Sequence, residues 1–251
     1  MSEEKLKNLA KKLKPNKNDK QQYGAAIKAA SEVLRKDKNI LVAEVWKCGS
    51  IGKKTGVRTK SDIDMVILLS PKQNMGNIFD LFKNALKGCS SEPVETSKRA
   101  VQVKIHGIEM DILPTKYGIQ NHLGRAQNDG KLVSEIVQLG QLFSDTTRIL
   151  KYWRDYPDNA PKKDNIPSFA IEIIVAHVMK NNDFKTHAEI IMEFFEYIRK
   201  SQLIDPLTLH DKDNNIILSY NFEFKKKENL INQASYSLKL LKKNDLKFIG
   251  L

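Results

Sequence analysis

Only two cysteines, Cys48 and Cys89, occur in 251 residues, and they form neither a metal-ligand spacing nor a disulfide framework. The five histidines are scattered along the chain, so no Cys/His zinc cluster can be read from spacing. No apolar run approaches the ~20 residues of a membrane span. The first residues, MSEEKLKNLAKKLKPNKNDK, lack the apolar stretch of a signal peptide. These absences argue against a secreted disulfide scaffold, a zinc module and a membrane protein, and point to a reduced, cytoplasmic setting. Cys48 is then most simply a small buried apolar residue. Hydrophobic residues make up 41% of the chain, enough for an ordinary core, and the length suits one large domain or two small lobes.

Charge is present in excess of one sign. The net charge is +12, and it sits at the ends. Residues 1–38 hold eleven Lys/Arg and five Asp/Glu; residues 225–251 hold seven Lys and two acids. Such ends attract polyanions by counterion release, or form a solvated lysine face. If the first ordered helix and the last one pack together, Lys28, Arg35, Lys36, Lys239, Lys242 and Lys243 make one patch for RNA or DNA phosphates.

The segment KCGSIGKKTGVRTKSDIDMVILLSP, residues 47–71, carries the chemistry. Gly49-Ser50 is a small turn where backbone N–H groups can approach a phosphate. A flexible basic loop follows; its Lys53 and Lys54 either touch phosphate or are merely exposed. Asp62 and Asp64 then open the apolar run Met65–Leu69. In a strand, residues two apart share a face, so both carboxylates project from one edge and repel unless a cation lies between them. Hard cations such as Mg²⁺ favour carboxylates together with substrate phosphate. The segment AVQVKIHGIEMDILP, residues 100–114, reads as a hairpin turning at His106-Gly107. Its second arm brings Asp111 beside Asp62 and Asp64. Three carboxylates on neighbouring strands can hold two Mg²⁺ or Mn²⁺ ions for an in-line phosphoryl displacement. Glu109 shares the face of Asp111, as a supporting carboxylate or a solvated strand residue.

Gly-Ser, a loop, Asp-x-Asp and a distant strand Asp resemble the polymerase-β-like nucleotidyltransferase superfamily. Residues 49–71 and the MDILP segment look like the 2′-5′-oligoadenylate synthetases. RILKYW (Arg148–Trp153) and IPSFAIEIIVAHV (Ile166–Val178) resemble the paired helices of the oligoadenylate synthetase and cGAS-like group, and Ile204–Pro206 with Asn214-Asn215 its late loop. The resemblance spans roughly residues 40 to 220 and implies a two-lobed enzyme. Its expected parts are a flexible N-terminus (1–17), an α/β catalytic lobe with a mixed sheet (18–115), and a helical lobe (116–251), with the active site between the lobes. It implies that Lys151 reaches phosphate, that Ser168 contacts the triphosphate, and that Phe169 stands where a base-stacking tyrosine is usual. The alternative for Lys151 is a solvated helix lysine, the phosphate role being favoured by its apolar flanks, and for Phe169 plain core. The implied reaction is attack of a ribose hydroxyl on the α-phosphate of ATP, or also GTP, releasing pyrophosphate. The implied product is a linear or cyclic oligonucleotide second messenger, a chemistry used in antiviral defence, with RNA as activator. Two further readings are a terminal nucleotidyltransferase acting on tRNA or other RNA, and an inactive RNA-binding scaffold, against which the intact aspartate triad argues.

Periodicity places a helix from an Asn18 cap to about Lys36, strands at 40–47 and 63–69, a helix at 76–87 and the hairpin at 99–113. Pro114 to Gly130 reads as a turn-rich passage between lobes. Beyond it come a helical stretch from Lys131, a helix 146–154 capped by Asp145, one from Pro167 to about Asn181, and one at 186–200. A loop at 205–215, an extended segment at 216–224 and a last helix at 226–243 follow.

Overall fold

The structure is a computed structural model that describes residues 3–58, 62–97, 99–116, 136–156, 166–180, 182–201, 203, 205, 207–210, 216–220 and 224–251. The chain divides into two units: Pro15–Val133, and Met1–Lys14 together with Ser134–Leu251.

The first unit is built on a five-stranded mixed sheet, in the order β1-β2-β5-β4-β3. Its strands are β1 (Val42–Lys47), β2 (Ile63–Leu69), β3 (Glu95–Thr96), β4 (Val101–Ile105) and β5 (Ile108–Lys116). β2 runs parallel to β5; the other pairs are antiparallel. The expected hairpin is β4–β5. His106 and Gly107 both take positive φ, 51° and 77°, as a two-residue turn between twisted strands requires. β3 is an added edge strand that two residues of sequence did not announce. Ile63, Met65, Ile67, Val101, Val103, Ile105, Met110 and Ile112 face α2 (Lys17–Lys36) and α4 (Ile78–Leu86), whose Ala26, Ala30, Leu34, Phe82 and Leu86 complete the core. Period-two alternation therefore leaves Asp64, Gln102, Lys104 and Asp111 on the opposite face.

The start of α2 corrects the reading of an Asn18 cap. Asn16 is the cap: its Oδ1 accepts from Asp19 N (2.8 Å), and Asp19 Oδ2 accepts from Asn16 N (2.7 Å). This reciprocal pair satisfies two helix-end donors at once.

The second unit is helical: α5 (Gly140–Asp155), α6 (Ser168–Lys180), α7 (His187–Ser201) and α8 (Phe224–Lys242), with a 3₁₀ turn at Lys247–Ile249. Trp153, Phe194, Phe195 and Phe248 pack edge to face, and Trp153 Nε1 donates to Ser237 Oγ (3.0 Å). The segment 1–17, expected to be flexible, contains a helix. Glu3–Leu13 forms α1 and buries Leu6, Leu9, Ala10 and Leu13 against α5 and α7. An eleven-residue helix is marginal alone; the apolar stripe becomes stable by docking. Glu3 also caps α7, accepting from His187 N (3.2 Å) and Ala188 N (3.3 Å), where a carboxylate meets the positive end of a helix.

Two further expectations change. Asp145 lies within α5, paired to Arg148 (2.6 Å), rather than capping a helix at 146; the break falls at Gly140, whose φ is 80°. The expected loop at 205–215 contains β6 (Leu207–His210), antiparallel to β7 (Ile216–Tyr220), because the extended segment supplies a partner strand. Ile204, Pro206, Asn214 and Asn215, read as the late loop, lie outside the described residues, as does the passage after Lys116 to residue 130.

Candidate active site

β2 is buried on both faces except at Asp64. Register then brings the carboxylates together: Asp64 is the direct partner of Asp111 across the parallel β2–β5 pair. Asp111 in turn faces Gln102 on β4, and Gln102 faces Glu95 on β3. One polar row crosses four strands. A second row sets Lys104 opposite Glu109, with Asp62 just before β2. Lys104 ion-pairs with Glu92 (2.6 Å). A groove of about 310 Å³ opens on this face, lined by Asp62, Glu95, Gln102, Lys104, Glu109 and Asp111 among others.

Burial, then the carboxylates of Glu109 and Asp111, push the Asp62 carboxyl above its ordinary value. That is the signature of like charges crowded on one edge. Asp111 Oδ1 accepts from Gln102 Nε2 (3.0 Å), while Asp64 leans the other way, over Gly49. A Cβ built on Gly49 would sit 1.6 Å from Asp64 Oδ2, and the glycine's φ is 55°. Only glycine allows this approach. Among the described residues no three Asp, Glu, His or Cys side chains converge as a metal-ligand group. The donor set nonetheless fits a hard divalent cation: it is all carboxylate, Asp64 and Asp111 are register partners, and Asp62 is electrostatically coupled to Asp111.

Gly49-Ser50 is not a free turn but the start of a four-residue helical turn, α3 (Gly49–Gly52). Cys48 N donates to Asp64 O (2.9 Å) and ties it to β2. Cys48 is buried beside Val66, as expected of a small apolar residue. The basic loop is also less free than expected: Lys53, Thr55, Gly56 and Val57 are buried, and Arg58 pairs with Asp19 on α2 (3.3 Å). Lys53 is thus packed inside the turn, and Lys54 is the exposed lysine.

Lys151, Ser168 and Phe169 belong to the helical unit. For Lys151, expected to reach phosphate, the structure shows a protein partner. Its side chain is buried and ion-paired with the equally buried Glu172 (2.8 Å). The sequence signal was a lone acid inside an apolar helix, AIEIIVA, which needs a counter-charge. Breaking such a pair from one side typically costs about 3–5 kcal/mol. Glu172→Leu is therefore expected to lower the denaturation midpoint strongly, and Lys151→Met in the same chain to restore most of the loss. A single variant costing under ~1 kcal/mol in urea titrations would overturn the structural role of this pair. Ser168 opens α6, and its Oγ accepts from Arg154 Nη1 (2.8 Å), a partner that spacing did not reveal. Phe169 is half-buried, outside the fully buried core.

The basic residues fall on different units. Lys28, Arg35 and Lys36 lie on α2 of the sheet unit, with Lys28 paired to Glu32 (3.8 Å). Lys239, Lys242 and Lys243 lie at the end of α8, where Lys242 is bound to Glu196 (2.9 Å). The N-terminal helix that packs within the helical unit is α1. No described helix is long and apolar enough to cross a membrane.

A mixed sheet presenting paired aspartates beside a Gly-Ser turn, with a helical unit after it, defines the polymerase-β-like nucleotidyltransferase fold. No known family profile matches the chain. The "Cyclic AMP-AMP-AMP synthase" of Escherichia coli (strain MS 115-1) is 26% identical over 188 residues, 65% of this chain and 59% of that protein. The chain thus matches somewhat over half the length of this relative. The solved structure of E. coli MS115-1 CdnC with ATP superposes with a TM-score of 0.72 at 19% identity, covering 96% of this chain and 92% of that one. The Cid1 poly(U) polymerase, in a mutant bound to MgATP, gives a TM-score of 0.74 at 12% identity over 98% of both chains. These likenesses give the chain the fold of the polymerase-β-like nucleotidyltransferases.

Proposed function

We propose that the chain transfers nucleotidyl groups from ATP to a ribose hydroxyl and that its product is a cyclic oligonucleotide. The observation that carries this reading is the register pairing of Asp64 with Asp111 beside Gly49-Ser50. The sequence match to a cyclic-trinucleotide synthase supports the cyclic product. The N–H groups that open α3 and the Ser50 hydroxyl bind the triphosphate. Asp62, Asp64 and Asp111 hold Mg²⁺ or Mn²⁺, two ions by the resemblance. Divalent cations bound there supply charge stabilisation on the attacking and leaving oxygens. Asp111 accepts the proton of the attacking hydroxyl or orients it. Phe169 offers a ring face to the base, and Ser168 a hydroxyl to the phosphates. The exposed Arg35, Lys36, Lys239 and Lys243 are sites where a polyanionic activator such as RNA binds, with a steep salt dependence.

A second reading, terminal addition of nucleotides to RNA, draws support from the likeness to Cid1. Labelled ATP with Mg²⁺, with and without RNA, separates the two. Short products formed without RNA and resistant to phosphatase, as a ring without terminal phosphate must be, are the expected result. Phosphatase-sensitive short products would make the product linear, of the 2′-5′-oligoadenylate kind. Label appearing only on added RNA would replace the proposal by the second reading.

A further inference from the structure

We propose that Gln102 is a positioning residue for Asp111, holding its carboxylate in the reacting orientation through a cross-strand hydrogen bond. The inference rests on the nucleotidyltransferase reading above. Asp111 has its acidic neighbours on the β2 side: Asp64 is its register partner, and Asp62 interacts with both Asp111 and Glu109. Mutual repulsion among these groups favours turning the Asp111 side chain away from Asp64. The facing position on β4 is the other side, and there Gln102 Nε2 donates to Oδ1 at 3.0 Å. The bond occupies one carboxylate oxygen and leaves Oδ2 available to a cation or a hydroxyl.

The residue type suits this task. A carboxamide provides an N–H donor without charge, so the row keeps the net negative charge that a divalent cation needs. A lysine there would hold Asp111 but neutralise it. A glutamate would add to the repulsion. The next residue on the same face, Lys104, is already drawn toward Glu92 (2.6 Å), which leaves the neutral donor beside Asp111. Groups that orient metal-binding side chains in this way typically matter by 10–100-fold in affinity or activity.

The test compares Gln102→Met, of similar length but without the donor, and Gln102→Glu with the unaltered chain. Two quantities are read: the Kd of Mn²⁺ alone, by electron paramagnetic resonance of the free ion, and kcat and KM for ATP. Gln102→Met is expected to weaken Mn²⁺ binding about tenfold and to lower kcat by roughly 10–100-fold, with KM for ATP within about threefold and an unchanged melting temperature. Gln102→Glu is expected to lose kcat as well, although it adds negative charge, because repulsion turns Asp111 out. Wild-type Mn²⁺ affinity and kcat in Gln102→Met, or full kcat in Gln102→Glu, would overturn the positioning role while leaving the enzyme reading intact. A wild-type chain that neither binds Mn²⁺ nor consumes ATP would overturn both.

Discussion

Asp64→Asn is expected to lower kcat by about a thousandfold at saturating Mg²⁺, equivalent to ~4 kcal/mol at ~1.4 kcal/mol per decade. Asparagine keeps the shape of the side chain, and the backbone bond from Cys48 N to Asp64 O does not depend on it. What is lost is a formal charge at the one position where β2 is not buried. The same change relieves repulsion against Asp111, its register partner, so the melting temperature should hold or rise slightly. Lost turnover with retained stability distinguishes a functional carboxylate from a structural one. Retention of more than about a tenth of wild-type activity would remove Asp64 from the reacting centre.

Gly49→Ala should be nearly as damaging to activity, for a steric reason. A left-handed backbone costs a non-glycine residue roughly 1–2 kcal/mol. The added methyl would also stand 1.6 Å from Asp64 Oδ2 and 2.4 Å from its Cγ, so the carboxylate must move. A loss of about a hundredfold or more in kcat is expected, with a fall of several degrees in melting temperature. Gly107→Ala is the matched control. Gly107 also has positive φ, 77°, but nothing lies within 4 Å of its would-be Cβ. It should share the backbone penalty and keep activity. Equal activity losses in the two variants would mean that strain, not displacement of Asp64, is what Gly49 avoids.

The sheet unit was legible because its signals are local. Alternation along AVQVKI and IEMDIL sorts Val101, Val103, Met110 and Ile112 to one face, and Gln102 and Asp111 to the other. His106-Gly107 marks the turn between them. The Asp-x-Asp pair needed only the period of a strand. Apart from the start of α2 and the place of Asp145, what the sequence did not show concerns partners distant in sequence. α1 looked like a charged tail because its four buried apolar residues have nothing to pack on until α5 and α7 are present. The ion pair of Lys151 was not legible because Glu172, twenty-one residues on, is not a neighbour until two helices pack. β3 and β6 are short strands that become strands only through pairing.

The sequence by itself determined that Asp62 and Asp64 share a face, that Asp111 lies on a second strand, and that a small flexible pair precedes them. Side-chain period and turn chemistry are properties of a few consecutive residues, so they survive in any context. Tertiary structure alone decided that β2 pairs with β5 in the register that sets Asp64 against Asp111, that Gln102 meets Asp111 from the other side, and that Gly49 lies under Asp64. Register is chosen by burying whole faces at once, and a slip of one residue would turn each of these carboxylates into the core.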